Sequence, residues 1–449
     1  MIALGYPDAY RAGASSLGLQ TVYRQWNRHP RLSCERFFVD PSVRRGGPRT
    51  LEGHRPLRDA DAVAFSVSCE AELAPLAGLM EAAGLAPLRE ERNANGPPVI
   101  IGGPLTLVDP ALVAPFADAV VCGEGEDALP LIADAVVGGP RGRSMVEALH
   151  GTGAGIWIPS LDMDPPTLHR VSAGRLPAVG ATWSPLSELS NLFLIEIARG
   201  CPHRCAFCVL AQKVRYRTAA VEDILAAIPD GAPGVGLVGA AVTDHPRLEE
   251  LVHRIVSTGR RVSLSSMRAD RITPELLAEL VKGGLRTLTV AADGSSARLR
   301  RQVKKNIEAT DLLRCASLAK DAGLRGMKLY SMVGLPGETD GDVEEFAALA
   351  AEMAALVPLT VAVQAFVPKP GTPLADEPMA PVRELKSRLD LLARRLGRRA
   401  VVQPSSPRWS WIDWKIAHGG RRSALAALAA HRAGGDYHAW KTAVKEFLE

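Results

Sequence analysis

Six short apolar runs between residues 192 and 367 constrain the fold of this chain most strongly. Each of the first five is followed by a loop and by sequence with helical apolar spacing, as in HPRLEELVHRIV and DVEEFAALAAEMAAL. Strands that alternate with helices form parallel sheets, and six such units are two short of a closed eight-fold barrel. The pattern predicts an open, partial (β/α)6 barrel with its functional residues at the carboxyl ends of the strands. The runs are 192–197, 234–240, 262–267, 287–291, 327–333 and 360–367.

The sequence on either side of this barrel predicts further parts of an α/β protein. Residues 1–137 alternate apolar runs with amphipathic stretches, which is typical of a doubly wound, Rossmann-like domain with a parallel sheet covered on both faces. Residues 138–186 are rich in glycine and proline and predict a linker with some local structure. The barrel is predicted over residues 187–380, and residues 381–449 predict a helical C-terminal cap.

Composition limits the classes of function open to the 449 residues. Hydrophobic residues make up 47% and charged residues 23%, as in an ordinary folded protein. The longest run without a charge, residues 353–368, is too short and too interrupted to span a bilayer, so we expect no membrane partner. The opening residues do not have the pattern of a signal peptide, and we expect a cytoplasmic protein. A net charge of +4 offers no large electrostatic footprint for nucleic acid, so the composition does not favour nucleic acid as a partner.

Three of the seven cysteines fall within eight residues and dominate the functional argument. Cys201, Cys205 and Cys208 form C-x3-C-x2-C in the loop after the first predicted barrel strand. Thiolates are the usual ligands of iron-sulfur clusters, and three cysteines on a [4Fe-4S] cube leave one iron open to an exogenous ligand. An open iron indicates chemistry rather than electron storage alone. His203 lies inside the loop, so a Cys3His zinc site is the alternative.

The segment EIARGCPHRCAFC on a first barrel strand resembles the radical S-adenosylmethionine (SAM) superfamily. The resemblance implies that the amino and carboxylate groups of SAM chelate the open iron. It also implies that one-electron reduction cleaves SAM to methionine and a 5′-deoxyadenosyl radical, while the protein orients and shields the cofactors. Phe207 matches the aromatic position that lies near the adenine in that family.

The same resemblance assigns further SAM contacts at the ends of later strands. Gly239 stands where the family binds the methionine amino group, although the usual Gly-Gly-Glu is GAAVTD here. Asp293 stands where relatives have a glutamate that accepts hydrogen bonds, and residues 333–335 would form an apolar shelf for adenine. Taken singly, each position is equally consistent with ordinary strand-end packing. The implied contacts are Phe207, Gly239, Ser265, Arg268, Asp293, Val333, Gly334 and Leu335.

The N-terminal domain resembles the cobalamin-binding domain of class B type radical SAM proteins, through YPDAYRAGASSLGLQTVY and VIIGGPLTLVDPALVAPFADAVVCGEGE. Cobalamin domains use Asp-x-His-x-x-Gly, whose histidine binds cobalt. Here Tyr10 replaces that histidine, so the resemblance implies cobalamin without a histidine on cobalt, or with Tyr10 near its lower face. A Rossmann-like domain retained only for packing is the alternative. The implied contacts are Asp8, Tyr10, Gly13, Ser66, Ser68, Gly102 and Gly103.

By resemblance, the reaction is methyl transfer to a poorly activated carbon of a small-molecule or peptide substrate, with a one-electron reductant as partner. One SAM would remethylate cobalamin, and a second would provide the radical that removes hydrogen from the substrate. A cobalamin-independent radical SAM reaction is one alternative. A methylthiotransferase is another, because that family also has three N-terminal cysteines, although the contexts of Cys34, Cys69 and Cys122 do not match its motifs. A non-catalytic, zinc-stabilised binding protein is the third.

A group of aromatic residues near the C-terminus has two interpretations. Trp409, Trp411 and Trp414, with His418, could cap the barrel mouth over a substrate. Aromatic residues at such spacings more often close a hydrophobic core. Cys315, on the helix after the fourth strand, is expected in the core as well.

Overall fold

A computed structural model describes residues 1–40 and 47–449 as mixed α/β structure with parallel sheets, which confirms the predicted fold class. The chain divides into two compact units. The first contains residues 1–191 and 415–449, and the second contains residues 192–414. Among the described helices, none has the length and apolar character that crossing a bilayer requires.

The first unit is built on a six-stranded sheet of order β2-β1-β3-β4-β5-β6, in which only β6 is antiparallel. Strand β1 lies in the sheet interior and is buried over its first six residues, as expected where helices cover both faces. The order 2-1-3-4-5 places a topological switch point between β1 and β3, where doubly wound sheets bind ligands. The strands are β1 (Ile2–Ala9), β2 (Cys34–Val39), β3 (Ala62–Ser66), β4 (Val99–Gly102), β5 (Ala119–Val121) and β6 (Ile156–Trp157).

Helices pack against this sheet through their apolar faces. Leu19 and Trp26 of one helix share a hydrophobic core with Leu129 and Ile132 of another and with the first strand. Ser16 caps the former helix by accepting a hydrogen bond from the backbone N–H of Leu19. The helices are α1 (Tyr10–Gly13), α2 (Leu17–Trp26), α3 (Leu73–Ala82), α4 (Leu105–Val108), α5 (Ala128–Gly138) and α6 (Arg143–Glu147).

The second unit has seven parallel strands, one more than predicted. They form sheets of order β11-β10-β7 and β12-β13-β14-β15, and a parallel bridge between Met267 and Val290 connects the two. Strands β8 (Ala198–Arg199) and β9 (Arg217–Thr218) form a small antiparallel ribbon. The parallel strands are β7 (Phe193–Glu196), β10 (Gly234–Val238), β11 (Arg261–Leu264), β12 (Thr287–Ala291), β13 (Gly326–Val333), β14 (Leu359–Ala365) and β15 (Val401–Pro404).

The helices of the second unit follow their strands as the sequence predicts. Thr339 and Asp342 form a capping box at the start of the longest helix, and Thr273 with Pro274 begins another. The helices are α7 (Val209–Lys213), α8 (Val221–Ala227), α9 (Leu248–Val256), α10 (Pro274–Lys282), α11 (Ala297–Gln302), α12 (Ala309–Asp321), α13 (Asp340–Leu356) and α14 (Val382–Leu396). Helix α15 (Pro407–Ala417) crosses the boundary between the units.

The C-terminal region differs from the predicted helical cap. Its first part, α14 and β15, belongs to the second unit, where β15 pairs with β14. Its last part, α16 (Arg422–Arg432) and α17 (Tyr437–Phe447), belongs to the first unit, where α16 packs on α3. Strand β15 is partly exposed along its length, so it has no buried apolar run by which sequence reasoning could find it. The predicted linker likewise contributes β6, which pairs with β5.

Candidate functional site

The three-cysteine loop lies between β8 and α7, just after the first parallel strand of the second unit. Gly200 turns the chain into this loop with φ of +73°. A Cβ atom there would lie 2.6 Å from the carbonyl oxygens of Val214 and Arg215, so only glycine fits. All three cysteines are free thiols; Cys205 is buried, and the other two are half-buried.

The thiols are close enough to influence one another electrostatically. Burial raises the pKa of the Cys205 thiol to about 11, and the thiolates of Cys208 and Cys201 add to that increase. Burial also raises the pKa of Cys201, followed by the Cys208 thiolate and the Asp244 carboxylate. Thiols whose ionisation is disfavoured in this way become thiolates when a cation binds them, and the irons of a cluster supply that charge. The donor set therefore fits a [4Fe-4S] cluster.

His203 lies in the same loop but is bonded away from the thiols. Its Nε2 lies 2.9 Å from Oδ1 of Asp244, in the loop after β10. In the described part of the chain, no three histidine, cysteine or acidic side chains converge on a point that would hold a single ion. A cube distributes its cysteines over several irons, so their sulfurs need not meet at one point.

The loop after α11 packs directly against the cysteine loop. Ala206 donates its backbone N–H to the Val303 carbonyl at 2.9 Å, and the Cys205 thiol lies 3.7 Å from the Lys304 carbonyl oxygen. Lys304 has a φ of +57°. A residue other than glycine in the left-handed region costs roughly 1–3 kcal/mol and persists only where its surroundings hold it. Lys304 therefore places one strained backbone residue beside Cys205.

Two predicted SAM contacts, Asp293 and Arg268, converge on this loop through Lys305. The Lys305 ammonium donates to Oδ2 of Asp293 at 2.6 Å. The Arg268 guanidinium donates to the Lys305 carbonyl at 3.1 Å and to both carboxylate oxygens of Asp270. The Lys305 ammonium also opposes the rise in pKa that burial causes at Cys205. Sequence reasoning missed Lys305, because nothing in KKN distinguishes it from a surface lysine.

Gly239 and Ser265 lie together at the ends of adjacent strands. The Ser265 hydroxyl donates to the Gly239 carbonyl at 3.3 Å. A Cβ atom on Gly239 would lie 2.6 Å from the Ala198 carbonyl oxygen, so the close approach of the chain itself requires glycine there. Their contact with SAM stays a prediction.

Phe207 and the predicted adenine shelf meet in one apolar cluster. Phe207 and Met332 pack against buried Leu335 and Phe366. The Val333 carbonyl accepts the Phe366 N–H at 2.8 Å, and the Gly334 N–H donates to the Glu338 carboxylate. The structure thus brings together the aromatic residue of the cysteine loop and the end of β13, as the resemblance implies.

A buried ion pair behind this shelf was not found from the sequence. Glu338 also accepts a hydrogen bond from Ser295, and its carboxylate lies 3.1 Å from the guanidinium of Arg388 on α14. Burial raises the pKa of Glu338, which the Ser295, Gly334 and Arg388 contacts oppose. Glu338 ends the segment MVGLPGE, but Arg388 has no signal in the sequence that identifies its partner.

In the first unit, Asp8, Tyr10 and Gly13 all lie at the carboxyl end of β1. The Tyr10 ring packs edge-on against Phe38 of β2, with ring centroids 5.2 Å apart. A Cβ atom on Gly13 would lie 2.4 Å from the same phenylalanine ring. Asp8 accepts a hydrogen bond from the Ala9 N–H at 2.6 Å. Tyr10 and Gly13 therefore contribute to packing within the unit.

The serines and glycines of the predicted cobalamin site lie at the ends of β3 and β4. A Cβ atom on Gly103, whose φ is +112°, would lie 2.5 Å from the Val67 carbonyl oxygen. The Gly102 position is less crowded, because the nearest side-chain atom, of Val121, would be 3.4 Å away. Ser66 is buried beneath Gly103.

Ser68 belongs to a polar network that the sequence did not reveal. Its hydroxyl lies 3.0 Å from the Tyr6 hydroxyl, and its backbone N–H donates to Glu72 at 2.6 Å. Burial raises the pKa of Tyr6 to about 12 and raises the pKa of Glu72 as well. The network lies at the switch point between β1 and β3, where a ligand of this sheet would bind.

The three N-terminal cysteines do not lie at the same end of the strands of the first sheet. Cys34 begins β2, whereas Cys69 follows β3 and Cys122 follows β5. Because these strands are parallel, Cys34 lies at their amino ends, whereas Cys69 and Cys122 lie at their carboxyl ends. The three thiols therefore do not come together. Cys122 and Cys315 are buried, as expected for core thiols. Trp409, Trp411 and Trp414 lie on α15, and their role at the barrel mouth stays a prediction with that of His418.

Two family models match the chain. Residues 195–350 match the family described as "Radical SAM superfamily", and residues 18–159 match "Radical SAM proteins, N-terminal". The chain belongs to the radical SAM superfamily. This radical SAM protein is therefore an enzyme rather than a zinc-stabilised binding protein, and membership implies the [4Fe-4S] cluster and SAM.

Known proteins resemble this radical SAM protein over different lengths. An uncharacterized protein of Methanocaldococcus jannaschii, MJ0966, is 27% identical over 385 residues, which are 83% of this chain and 78% of that protein. The ribosomal protein uS12 methylthiotransferase RimO of Anaeromyxobacter is 27% identical over 42% of this chain and 43% of its own length.

A solved structure shares the fold over most of the chain. The cobalamin-dependent S-adenosylmethionine radical enzyme OxsB, with aqua-cobalamin bound, superimposes with a TM-score of 0.52 at 13% identity. The match covers 80% of this chain and 53% of OxsB. This radical SAM protein thus spans about half the length of OxsB.

Proposed function

We propose that the protein is a cobalamin-dependent radical SAM methyltransferase that acts on a carbon atom of a small-molecule or peptide substrate. The observation that carries the proposal is the first unit itself. It has the 2-1-3-4-5 parallel order, and all seven predicted cobalamin residues lie at or near the carboxyl ends of β1, β3 and β4. The fold shared with OxsB, a cobalamin-dependent enzyme, supports this reading.

The chain's own residues prepare the barrel for SAM. Cys201, Cys205 and Cys208 would hold the cluster, which supplies the electron that cleaves SAM when it is bound. Phe207 and Leu335 provide an apolar surface for adenine. The Val333 carbonyl accepts from the Phe366 N–H, and the Leu335 carbonyl accepts from the Glu338 N–H. Adenine would therefore pair with the Gly334 carbonyl and the Leu335 N–H.

The first unit would hold cobalamin without a histidine on cobalt. Tyr10 packs on Phe38, and this contact supports binding in which no side chain replaces the missing histidine. Ser66, Ser68, Gly102 and Gly103 would line the ligand, with Ser68 held in place by Tyr6 and Glu72.

Anaerobic purification with hydroxocobalamin tests the proposal. We expect about four irons per chain and a retained corrinoid absorption band, and we expect 5′-deoxyadenosine once SAM and a one-electron reductant are added. A protein that binds the cluster and forms 5′-deoxyadenosine but retains no corrinoid would instead be a cobalamin-independent radical SAM enzyme, and the methylation proposal would be wrong.

The similarity to RimO favours one second candidate, methylthiotransfer. That reaction predicts a second cluster on three N-terminal cysteines and about eight irons per chain. The placement of Cys34 at the edge of the sheet opposite to Cys69 and Cys122 argues against this candidate. Iron analysis separates the two functions directly.

A further inference from the structure

The strands β12, β13 and β14 present two chemically different faces. One face is buried and, apart from Ser331, apolar, with Leu288, Leu329 and Val361 at 0% exposure. The residues that alternate with them along each strand are half-buried or exposed, apart from buried Ala362. They lie side by side because the strands are parallel and in register. We call the second face the inner face. Its members include Thr289, Ala291, Lys328, Tyr330, Met332, Thr360 and Gln364.

The inner face points toward the cysteine loop. Met332, at its carboxyl end, packs in the apolar cluster that contains Phe207. Tyr330 and Lys328 lie two and four residues earlier on the same face of β13. At about 3.3 Å per residue, they lie roughly 7 Å and 13 Å from Met332, toward the amino end of the strand. The inner face therefore extends from the predicted SAM site into the barrel.

Lys328 is a cation on this face without an anionic partner. Its ammonium lies 5.0 Å from the centroid of the ring of Tyr330, two residues later on the same face. Among the described residues, no carboxylate lies within ion-pair distance of Lys328. Glu196, at the end of β7, is paired with Arg199 at 2.6 Å.

Two hydroxyl groups accompany this ammonium. Thr289 of β12 and Thr360 of β14 pair with Lys328 in register, one on each side. Within residues 1–40 and 47–449, neither the Thr289 nor the Thr360 side chain has a hydrogen-bond partner. An ammonium flanked by hydroxyl donors recognises a carboxylate or a phosphate group, and a lysine inside a barrel costs free energy unless an anion accompanies it.

We propose that the inner face binds the substrate through an anionic group, a carboxylate or a phosphate, that pairs with Lys328. This inference rests on the proposed function, because it assigns the barrel interior to the substrate. It narrows the substrate class to anionic molecules and names Lys328, with Thr289 and Thr360, as the binding residues.

Protection from chemical labelling tests the proposal without knowledge of the substrate. The anaerobic holoenzyme is reductively methylated with formaldehyde and dimethylamine-borane, which release neither acetate nor phosphate, in the presence of inorganic phosphate, of acetate, or of chloride at matched ionic strength. Peptide mass spectrometry then compares Lys328 with the exposed lysines Lys320 and Lys386. We expect phosphate or acetate to slow the labelling of Lys328 several-fold more than that of the two controls. Equal protection at all three lysines would overturn the proposal.

The two anions and SAM serve as separate arms. Protection by phosphate alone indicates a phosphorylated substrate, and protection by acetate indicates a carboxylate. SAM also carries a carboxylate, so the labelling is repeated with SAM as the only added anion. If SAM alone protects Lys328, the ammonium belongs to SAM and the proposal is wrong.

Variants separate this inference from the proposed function. The protecting anion should raise the melting temperature of the wild type and of Lys328→Arg, whereas Lys328→Met should lose that rise. Thr289→Val, which keeps the ammonium, should retain part of it. The control Lys386→Met, at an exposed lysine of α14, should keep both the rise in melting temperature and the wild-type formation of 5′-deoxyadenosine without substrate. Failure of the wild type to form 5′-deoxyadenosine would contradict the proposed function, while the labelling result would still decide the role of Lys328.

Discussion

The cysteine loop of the second unit and the edge of the first sheet both lie at the carboxyl ends of parallel strands, but their side chains are used differently. Burial raises the pKa of the Cys201 and Cys205 thiols, and the neighbouring cysteines add to that increase. Tyr10 and Gly13, in contrast, pack against Phe38 within their own unit. The cysteine loop therefore needs a bound cation, whereas Tyr10 and Gly13 also contribute to the stability of their own unit. Substitutions in the cysteine loop should therefore affect mainly cluster binding, whereas substitutions at Tyr10 and Gly13 should affect mainly the free energy of unfolding.

The largest expected effect is loss of the cluster in Cys205→Ser. Removing one of three thiolate ligands should abolish both the iron absorption and the formation of 5′-deoxyadenosine, while the protein still folds. The matched control is Cys69→Ser, at an exposed cysteine of the first unit, which should keep its iron. Equal iron loss in the control would break the comparison, because it would place a second cluster in the first unit.

The next effect concerns the ion pair behind the adenine shelf. Arg388→Met leaves the Glu338 carboxylate buried without its partner, and we expect a loss of about 3–5 kcal/mol in the free energy of unfolding. The control Arg395→Met breaks the exposed pair with Glu344 and should cost only about 0–1 kcal/mol. Urea unfolding measures both. Similar values for the two variants would show that the shelf does not depend on the buried pair.

A smaller loss in the free energy of unfolding is expected for a substitution at the carboxyl end of β1. Gly13→Ala places a methyl group against the Phe38 ring and the Tyr6 Cβ, and such overpacking typically costs about 1–3 kcal/mol. Gly138→Ala is the control, because a Cβ atom there has no neighbour within 4 Å. If Gly13→Ala were fully stable but no longer bound cobalamin, this glycine would be needed for ligand binding and not for packing. The two sites would then not differ in the way described.

The smallest effect is a pH dependence at Glu72. Burial raises the pKa of this carboxyl in the folded protein. Its contribution to stability is therefore present below the ordinary pKa of a glutamate and is lost as the pH rises through the raised value. Relative to Glu72→Gln, which cannot ionise, the wild type should lose stability over the pH range above the ordinary pKa of a glutamate. Urea midpoints measured across this range check the sign, with exposed Glu90→Gln as control; a relative gain by the wild type would contradict it.

Much of the fold could be predicted because its signals are local. The six apolar runs of the barrel correspond to β7, β10, β11, β12, β13 and β14, and the fold class follows from their alternation with helices. Strand β15 escaped because its residues remain partly exposed. The assignment of α16 and α17 to the first unit escaped because it depends on packing against α3, more than 300 residues earlier in the chain.

The sequence by itself determined the family chemistry, since C-x3-C-x2-C places three ligands within a single loop, where spacing alone keeps them together. Only the tertiary structure decided which groups surround that loop and the barrel interior. Lys305 meets Asp293 across a bend with left-handed residues, Arg388 meets Glu338 across 50 residues, and Lys328 acquires its hydroxyl neighbours from two other strands. Such partners depend on strand register and on long-range packing, which have no local signature in a single sequence.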